Sequence, residues 1–231
     1  MPRKYKKSSQ KFNKKVQNVV RRMAETKIID YPMSEQLIVS NDTAPYLQDM
    51  TQIARGGSAD QRIGNEILMS GVKYRLLFHN RNNSQITSQT VIKSVWVRIA
   101  IIMQNNVDNT TVLDGFFRRG SNNVTFDLTT EAEKYYLPID QTNRKTLFQK
   151  TFKLGQKNAS YTNDYVSNKI EKLYRKINKQ INFEENNVSN SASNRIYFVC
   201  WCGNNDLDAS AENQAGALEM SGLLSTYYKD F

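Results

Sequence analysis

Histidine is nearly missing from this 231-residue chain: His79 stands alone, beside two cysteines, four prolines and ten glycines. One histidine leaves a single candidate for any nucleophile–histidine triad, and with Cys200 and Cys202 it is too few for a His-rich or four-Cys metal site. Most familiar hydrolase and zinc chemistries are thereby excluded. Long hydrophobic runs are lacking too. VWVRIAIIM at 95–103, broken by Arg98, and IYFVCWC at 196–202 have strand length, short of the roughly 20 residues that a bilayer-crossing helix needs. No membrane insertion is expected. The opening MPRKYKKSSQKFNKK is charged but no apolar stretch follows it, so it does not read as a secretory signal, and cytosolic or nuclear synthesis is the expectation. A chain of this length suits one domain with a tail, and 39% hydrophobic with 10% aromatic residues suffices for a core.

What is present is charge, unevenly placed. Of 32 Lys and Arg, ten lie in residues 1–27: Arg3, Lys4, Lys6, Lys7, Lys11, Lys14, Lys15, Arg21, Arg22 and Lys27. Glu25 is the one acid among them, so this segment carries +9 of the chain's +10. Residues 28–231 hold 22 bases and 21 acids. A cationic arm on a near-neutral body suits a protein whose arm neutralises a polyanion while its bodies pack without mutual repulsion. The division predicts a nucleic-acid-binding arm at 1–27 and a folded shell domain at 28–231. The arm's composition suits a largely disordered coil that folds on contact, and Phe12, Val16, Val19, Val20 and Met23, recurring at helical spacing, make a short amphipathic helix over 12–26 the alternative form. Phosphates attract such an arm through counterion release without regard to base sequence, and Tyr5 or Phe12 suits stacking on unpaired bases. The alternatives are a solvated tail and a membrane-surface helix, the latter disfavoured by an apolar face without Trp or Leu. The clusters PRKYKK, KFNKK and RR also suit nuclear import machinery.

Beyond the arm, 23 of the chain's 25 asparagines, with scattered Gly and Ser, disfavour long helices. Strands are predicted at 64–79, 91–103, 134–139, 144–154, 195–203 and 218–231. Segment 165–183 is ambiguous: Ile170, Leu173, Tyr174 and Ile177 fit a helix, whereas Ile177, Lys179, Ile181 and Phe183 alternate as in a strand, favoured for its second half. Seven or eight strands joined by Asn/Gly/Ser loops predict an all-β antiparallel sandwich or jelly roll.

Few residues suggest chemistry. Gly56-Gly57 lacks phosphate-loop spacing and reads as a turn before a strand. Cys200 and Cys202 flank Trp201 on one strand face and read as small buried hydrophobes. His79 reads as a structural histidine. Asn204, Asn205, Asp206 and Asp208 bunch oxygen ligands without the glutamate of an EF-hand, so no metal site is assigned, Asp206 and Asp208 being the nearest to one. No cofactor and no catalytic residue is expected.

The order of these segments resembles the capsid proteins of circovirus-like circular single-stranded DNA viruses. Its most specific piece runs from Gly57 through Gln61-Arg62-Ile63-Gly64 to Ile67, similar to that family's opening of the first core strand. Glu25-Thr26-Lys27 resembles the close of the family's basic arm. RIYFVCWCGNND resembles its buried late strand, and Tyr227-Tyr228-Lys229-Asp230 its closing strand. Similar coats occur in small satellite RNA viruses, so DNA and RNA both stay open. The resemblance implies a single eight-stranded jelly roll, an icosahedral homo-oligomer of about sixty copies, a virion location with assembly in the host nucleus, and an inward-pointing arm. About sixty arms at +9 would bring about 540 charges to a single-stranded genome. Under it, the loops around 80–90, 104–123, 155–164, 184–194 and 203–217 would make subunit contacts or the outer surface. The rival reading is a host nonspecific nucleic-acid-binding protein that never assembles.

Overall fold

A computed structural model describes residues 15, 16, 19, 24–39, 44–81, 91, 92, 94–104, 112–130, 132–155, 157, 158, 168–183, 194–204 and 217–230. Its strands are β1 (Thr26–Val39), β2 (Tyr46–Asp49), β3 (Glu66–Arg81), β4 (Val91–Ile92), β5 (Val95–Gln104), β6 (Phe117–Arg119), β7 (Asn122–Val124), β8 (Arg144–Leu154), β9 (Lys157–Asn158), β10 (Asn168–Asn182), β11 (Arg195–Asn204) and β12 (Ala217–Asp230). Eight of them build two four-stranded antiparallel sheets, ordered β1-β12-β3-β10 and β2-β11-β5-β8. Within these eight the pairing is nested, first with last and second with second-last, down to β5 with β8. That nesting is the jelly roll, one long hairpin folded over into two layers. The strand count exceeds eight because β4 pairs β9 and β6 pairs β7 as short accessory ladders.

The core lies between the sheets. From β3 it takes Ile67, Met69, Val72, Tyr74, Leu76 and Phe78, the inward set of an alternating strand, with the step from Met69 to Val72 falling at a register shift opposite both neighbours. β5 and β11 are apolar on consecutive residues because both their faces are covered. Val97, Ile99, Ile101, Phe198, Cys200 and Cys202 point into the main core, and Ala100, Ile102, Val199 and Trp201 into a second cluster behind the sheet. Both thiols are therefore packing groups, and burial pushes that of Cys200 up.

The second cluster is closed by residues 112–139, which fold over the outer face of β5 and β11. Phe116, Phe117, Phe126 and Trp201 pack there with centroids 4.9–5.9 Å apart. Arg98, 1% exposed, rises from β5 through this cluster and donates from Nη1 to the carbonyls of Lys134 (2.8 Å), Tyr135 (3.1 Å) and Leu137 (2.9 Å). Its guanidinium lies 5.2 Å from the Trp201 ring, and Trp201 Nε1 donates to the same Lys134 carbonyl. Burial draws the Arg98 guanidinium down to about 10, still charged at neutral pH.

Three expectations need correction. KYYLPI at 134–139 is no strand: Glu133–Tyr136 is one helical turn, started where Thr130 and Glu133 bond reciprocally, Thr130 N–H to the carboxylate and Glu133 N–H to Thr130 Oγ1. Segment 168–182 is strand throughout, since β3 offers a pairing edge along its whole length. The helical spacing of Ile170 and Tyr174 marks no buried stripe, both being exposed. The helical alternative over 12–26 stops short, because Thr26 already pairs with Lys229 in β1. Lys15, Val16 and Val19 do have helical backbone and are exposed. The local pattern of the sequence does not announce β1 or β2, and the segment expected as a loop at 104–123 holds most of the covering β6–β7 hairpin.

Candidate nucleic-acid interface at the root of the arm

The arm enters the body at β1, and the residues that resemble a family motif gather around that point. Asp230 ends β12 and accepts at Oδ2 from the backbone N–H of Ile63 (2.5 Å) and the ammonium of Lys27 (3.3 Å), and at Oδ1 from Gly64 N–H (3.4 Å). Lys27 also donates to the Gln61 carbonyl at 2.7 Å. The nested pairing causes this convergence: β1 and β12 are neighbours, and β12 also borders β3, placing Asp230 opposite Ile67.

Arg62 lies beneath the knot, fully buried. It donates from Nε to the Ile53 carbonyl (3.3 Å) and from Nη1 to the Gly64 carbonyl (2.6 Å) and Asn65 Oδ1 (3.4 Å), with its guanidinium 4.0 Å from the Phe183 ring centroid. Burial lowers its pKa, Arg55 lowers it further, and Asp230 opposes both. Satisfied by carbonyls and stacked on a ring, Arg62 ties the two ends of the turn 53–65 together and holds them against Phe183, just past the end of β10. Gln61 closes the turn by accepting from Ser58 N–H at 3.1 Å, while its own N–H donates to the Ser58 carbonyl. Gly56 and Gly57 thus belong to a turn before a strand. Ile67 and Tyr228 are buried in the core, and Tyr227 lies on the outer face of the sheet.

Of the proposed nucleic-acid contacts, Lys15 is exposed, whereas Lys27 is a β1 residue engaged inside the knot. Arg3, Lys4, Lys6, Lys7, Lys11, Lys14, Arg21 and Arg22 lie outside the described residues, as do Asp206 and Asp208. Among the described residues no group of three or more His, Cys, Asp or Glu side chains is placed to hold a metal, and no helix is long and apolar enough to cross a membrane. His79 sits partly exposed in β3, between Glu219 and Asn168. The knot itself was legible only as a motif: nothing in the spacing of Lys27, Gln61 and Asp230 announces that they meet.

The chain matches no protein-family model, and no curated protein matches it. Among solved structures it is similar to the infectious bursal disease virus VP2 subviral particle at 8% identity, over 89% of this chain and 33% of that one, with a TM-score of 0.29. It is also similar to Desmodium yellow mottle tymovirus at 9% identity, over 88% of this chain and 80% of that one, TM-score 0.27. A third likeness is to the semi-empty virus-like particle of the giant freshwater prawn Macrobrachium rosenbergii nodavirus at 10% identity, over 87% and 88% of the two chains, TM-score 0.25. The chain spans a third of the first of these. At TM-scores this low the likenesses carry no argument, and the jelly-roll assignment rests on the strand order itself.

Proposed function

We propose that this chain is a viral capsid subunit, whose jelly-roll body assembles with identical copies into a closed icosahedral shell and whose basic arm packages single-stranded nucleic acid. The observation that carries the reading is the joining of two features: a jelly roll of near-neutral charge, and a leader with nine bases ahead of Thr26. The knot of Lys27, Gln61 and Asp230 supports it mechanically. A cationic segment that binds a polyanion transmits force to its root, and there the chain is held by three backbone and side-chain donors converging on one carboxylate. The role is structural rather than catalytic. The resemblance to circovirus-like capsid proteins favours circular single-stranded DNA as the cargo, with a satellite-virus RNA as the alternative, and assembly in the host nucleus, with nuclear import using the same basic clusters.

Electron microscopy of the purified full-length protein tests assembly, with particles of uniform diameter as the expected result. A nonspecific binding protein would give none. Sequencing of nuclease-protected nucleic acid from such particles identifies the cargo as DNA or RNA. Removal of residues 1–24 should leave shells without that cargo, and normal loading of the truncated protein would refute the role of the arm.

A further inference from the structure

The two sheets differ in what lies on their outer faces. Residues 112–139 cover the outside of β5 and β11, while among the described residues no element covers the outside of β1-β12-β3-β10. That open face is basic and aromatic. Lys73 and Arg75 project from β3, and Lys172 and Lys176 from β10, with Arg75, Lys172 and Lys176 exposed. Lys172 stands directly opposite Arg75 in the register. Like charges in that position repel, a cost that an anion lying between them removes. The acids on this face are Asp30 in β1, in the same row as Lys73 with Ser225 between them, Glu66 at the start of β3, which accepts from Gln180, and Glu219 beside His79; Arg75 and Lys172 face each other in a row that holds none of them.

An aromatic pair lies at the same place. Tyr174, 55% exposed, leans across β3 to Tyr227, the rings 5.8 Å apart at 82°. Gly71 makes this possible, for a Cβ there would lie 2.8 Å from the Tyr174 hydroxyl and 2.7 Å from the Arg175 carbonyl. Tyr227 in turn pairs with Ile28, two residues into β1 from the start of that strand. A polynucleotide gripped by the arm is therefore delivered to this face at high local concentration.

We propose that the face is a second, structured contact for single-stranded nucleic acid, with bases stacking on Tyr174 and Tyr227 and phosphates meeting Lys73, Arg75, Lys172 and Lys176. It rests on the packaging function proposed above and adds that this sheet turns toward the cargo. Charge complementarity favours a polyanion over a second copy of the near-neutral body. Single-strand binding without sequence preference uses this combination of stacking platform and cationic track.

The test uses full-length protein and a fluorescein-labelled oligothymidylate of about 20 nucleotides. Tyr174→Leu should weaken binding roughly ten-fold. The pair Arg75→Gln and Lys172→Gln should lower the slope of log affinity against log salt by about 1.4, the share of two phosphates on a single strand. Independently of any variant, an iododeoxyuridine form of the probe should photo-cross-link to the peptides bearing Tyr174 or Tyr227. Wild-type protein that binds the probe, cross-links only ahead of Thr26 and loses nothing in the variants overturns the inference while leaving the arm's role intact. Variants that bind normally yet no longer form particles also overturn it, making the face a contact between copies. Wild-type protein that binds no probe at all removes the packaging function itself.

Discussion

The Lys27 ammonium lies 3.3 Å from the Asp230 carboxylate, across 203 residues of sequence. The pair marks where the first and last strands of the jelly roll meet, and its geometry shows why the body holds its shape where the leader departs. Asp230 serves two backbone N–H groups of the 61–64 turn as well as Lys27, and its side chain is only 8% exposed. It thereby ties three distant segments together.

Asp230→Asn keeps one acceptor and removes the charge. A charge-assisted bond of this kind contributes about 2 kcal/mol, so the melting temperature should fall by about 4–8 °C. A double-mutant cycle with Lys27→Met, measured by thermal unfolding, should show the two losses to be less than additive. Strict additivity would mean that the pair is not coupled.

Arg98 should be the most sensitive polar position of the body. Arg98→Met leaves the carbonyls of Lys134, Tyr135 and Leu137 without their shared donor and strips a cation from the Trp201 ring. Roughly 2–4 kcal/mol of stability should be lost. Urea titration followed by Trp201 fluorescence, in a Trp96→Phe background that leaves Trp201 the one tryptophan, reads both the midpoint and the loosening of the covering segment.

Glu171 gives the body a defined response to acid. Burial pushes its carboxyl up, but the ammonium groups of Lys150 at 2.6 Å and Lys169 at 3.1 Å outweigh burial and hold it below its ordinary value of 4.5. A depressed folded-state value means that the contribution is complete above the ordinary value and is lost as pH falls through the lower one. Because Lys150 belongs to β8 and Glu171 to β10, acidification should weaken the edge where the two sheets meet. Glu171→Gln should be less stable at neutral pH and lose less stability than wild type between about pH 5 and about pH 2. Equal acid sensitivity in both proteins would sink this assignment.

The two thiols offer a simple check of the core. Cys200 is wholly buried and Cys202 2% exposed, the latter with Sγ 3.2 Å from the Ile38 carbonyl. A thiol-specific disulfide reagent should leave both untouched in folded protein and titrate both in denaturant. Rapid reaction of either in the native state would contradict the packing.

Gly222 is a backbone test. Its φ of +139° disfavours side chains, and a Cβ would sit 2.2 Å from the Arg75 carbonyl of the neighbouring strand. Gly222→Ala should therefore abolish soluble folded protein or cost more than about 3 kcal/mol. A variant as stable as wild type would show that the strand is free to shift there.

Much of the architecture is written locally. The runs at 95–103 and 195–203 are strands because their apolar residues leave no polar face to wet, and β8 follows from the alternation ending in Phe152 and Leu154. Local pattern misled where a partner decided the outcome. β10 carries Ile170 and Tyr174 on its open face, so its spacing imitates a helix until β3 claims its backbone hydrogen bonds. β1 was invisible because Thr26–Val39 mixes Asp30, Pro32 and Glu35 among its apolar residues, and it becomes a strand by pairing with β12.

By itself, the sequence determined an all-β body, two buried thiols and a cationic leader, since hydrophobic periodicity and charge count depend only on near neighbours. Only the tertiary structure decided which strands became partners. It buried Arg62 and Arg98 as carbonyl-bound ties, gathered Lys27, Gln61 and Asp230 into one knot, and set Tyr174 beside Tyr227 on an open basic face. Contacts between residues tens or hundreds of positions apart are made by the nesting of strands, and no local pattern of side chains encodes that nesting.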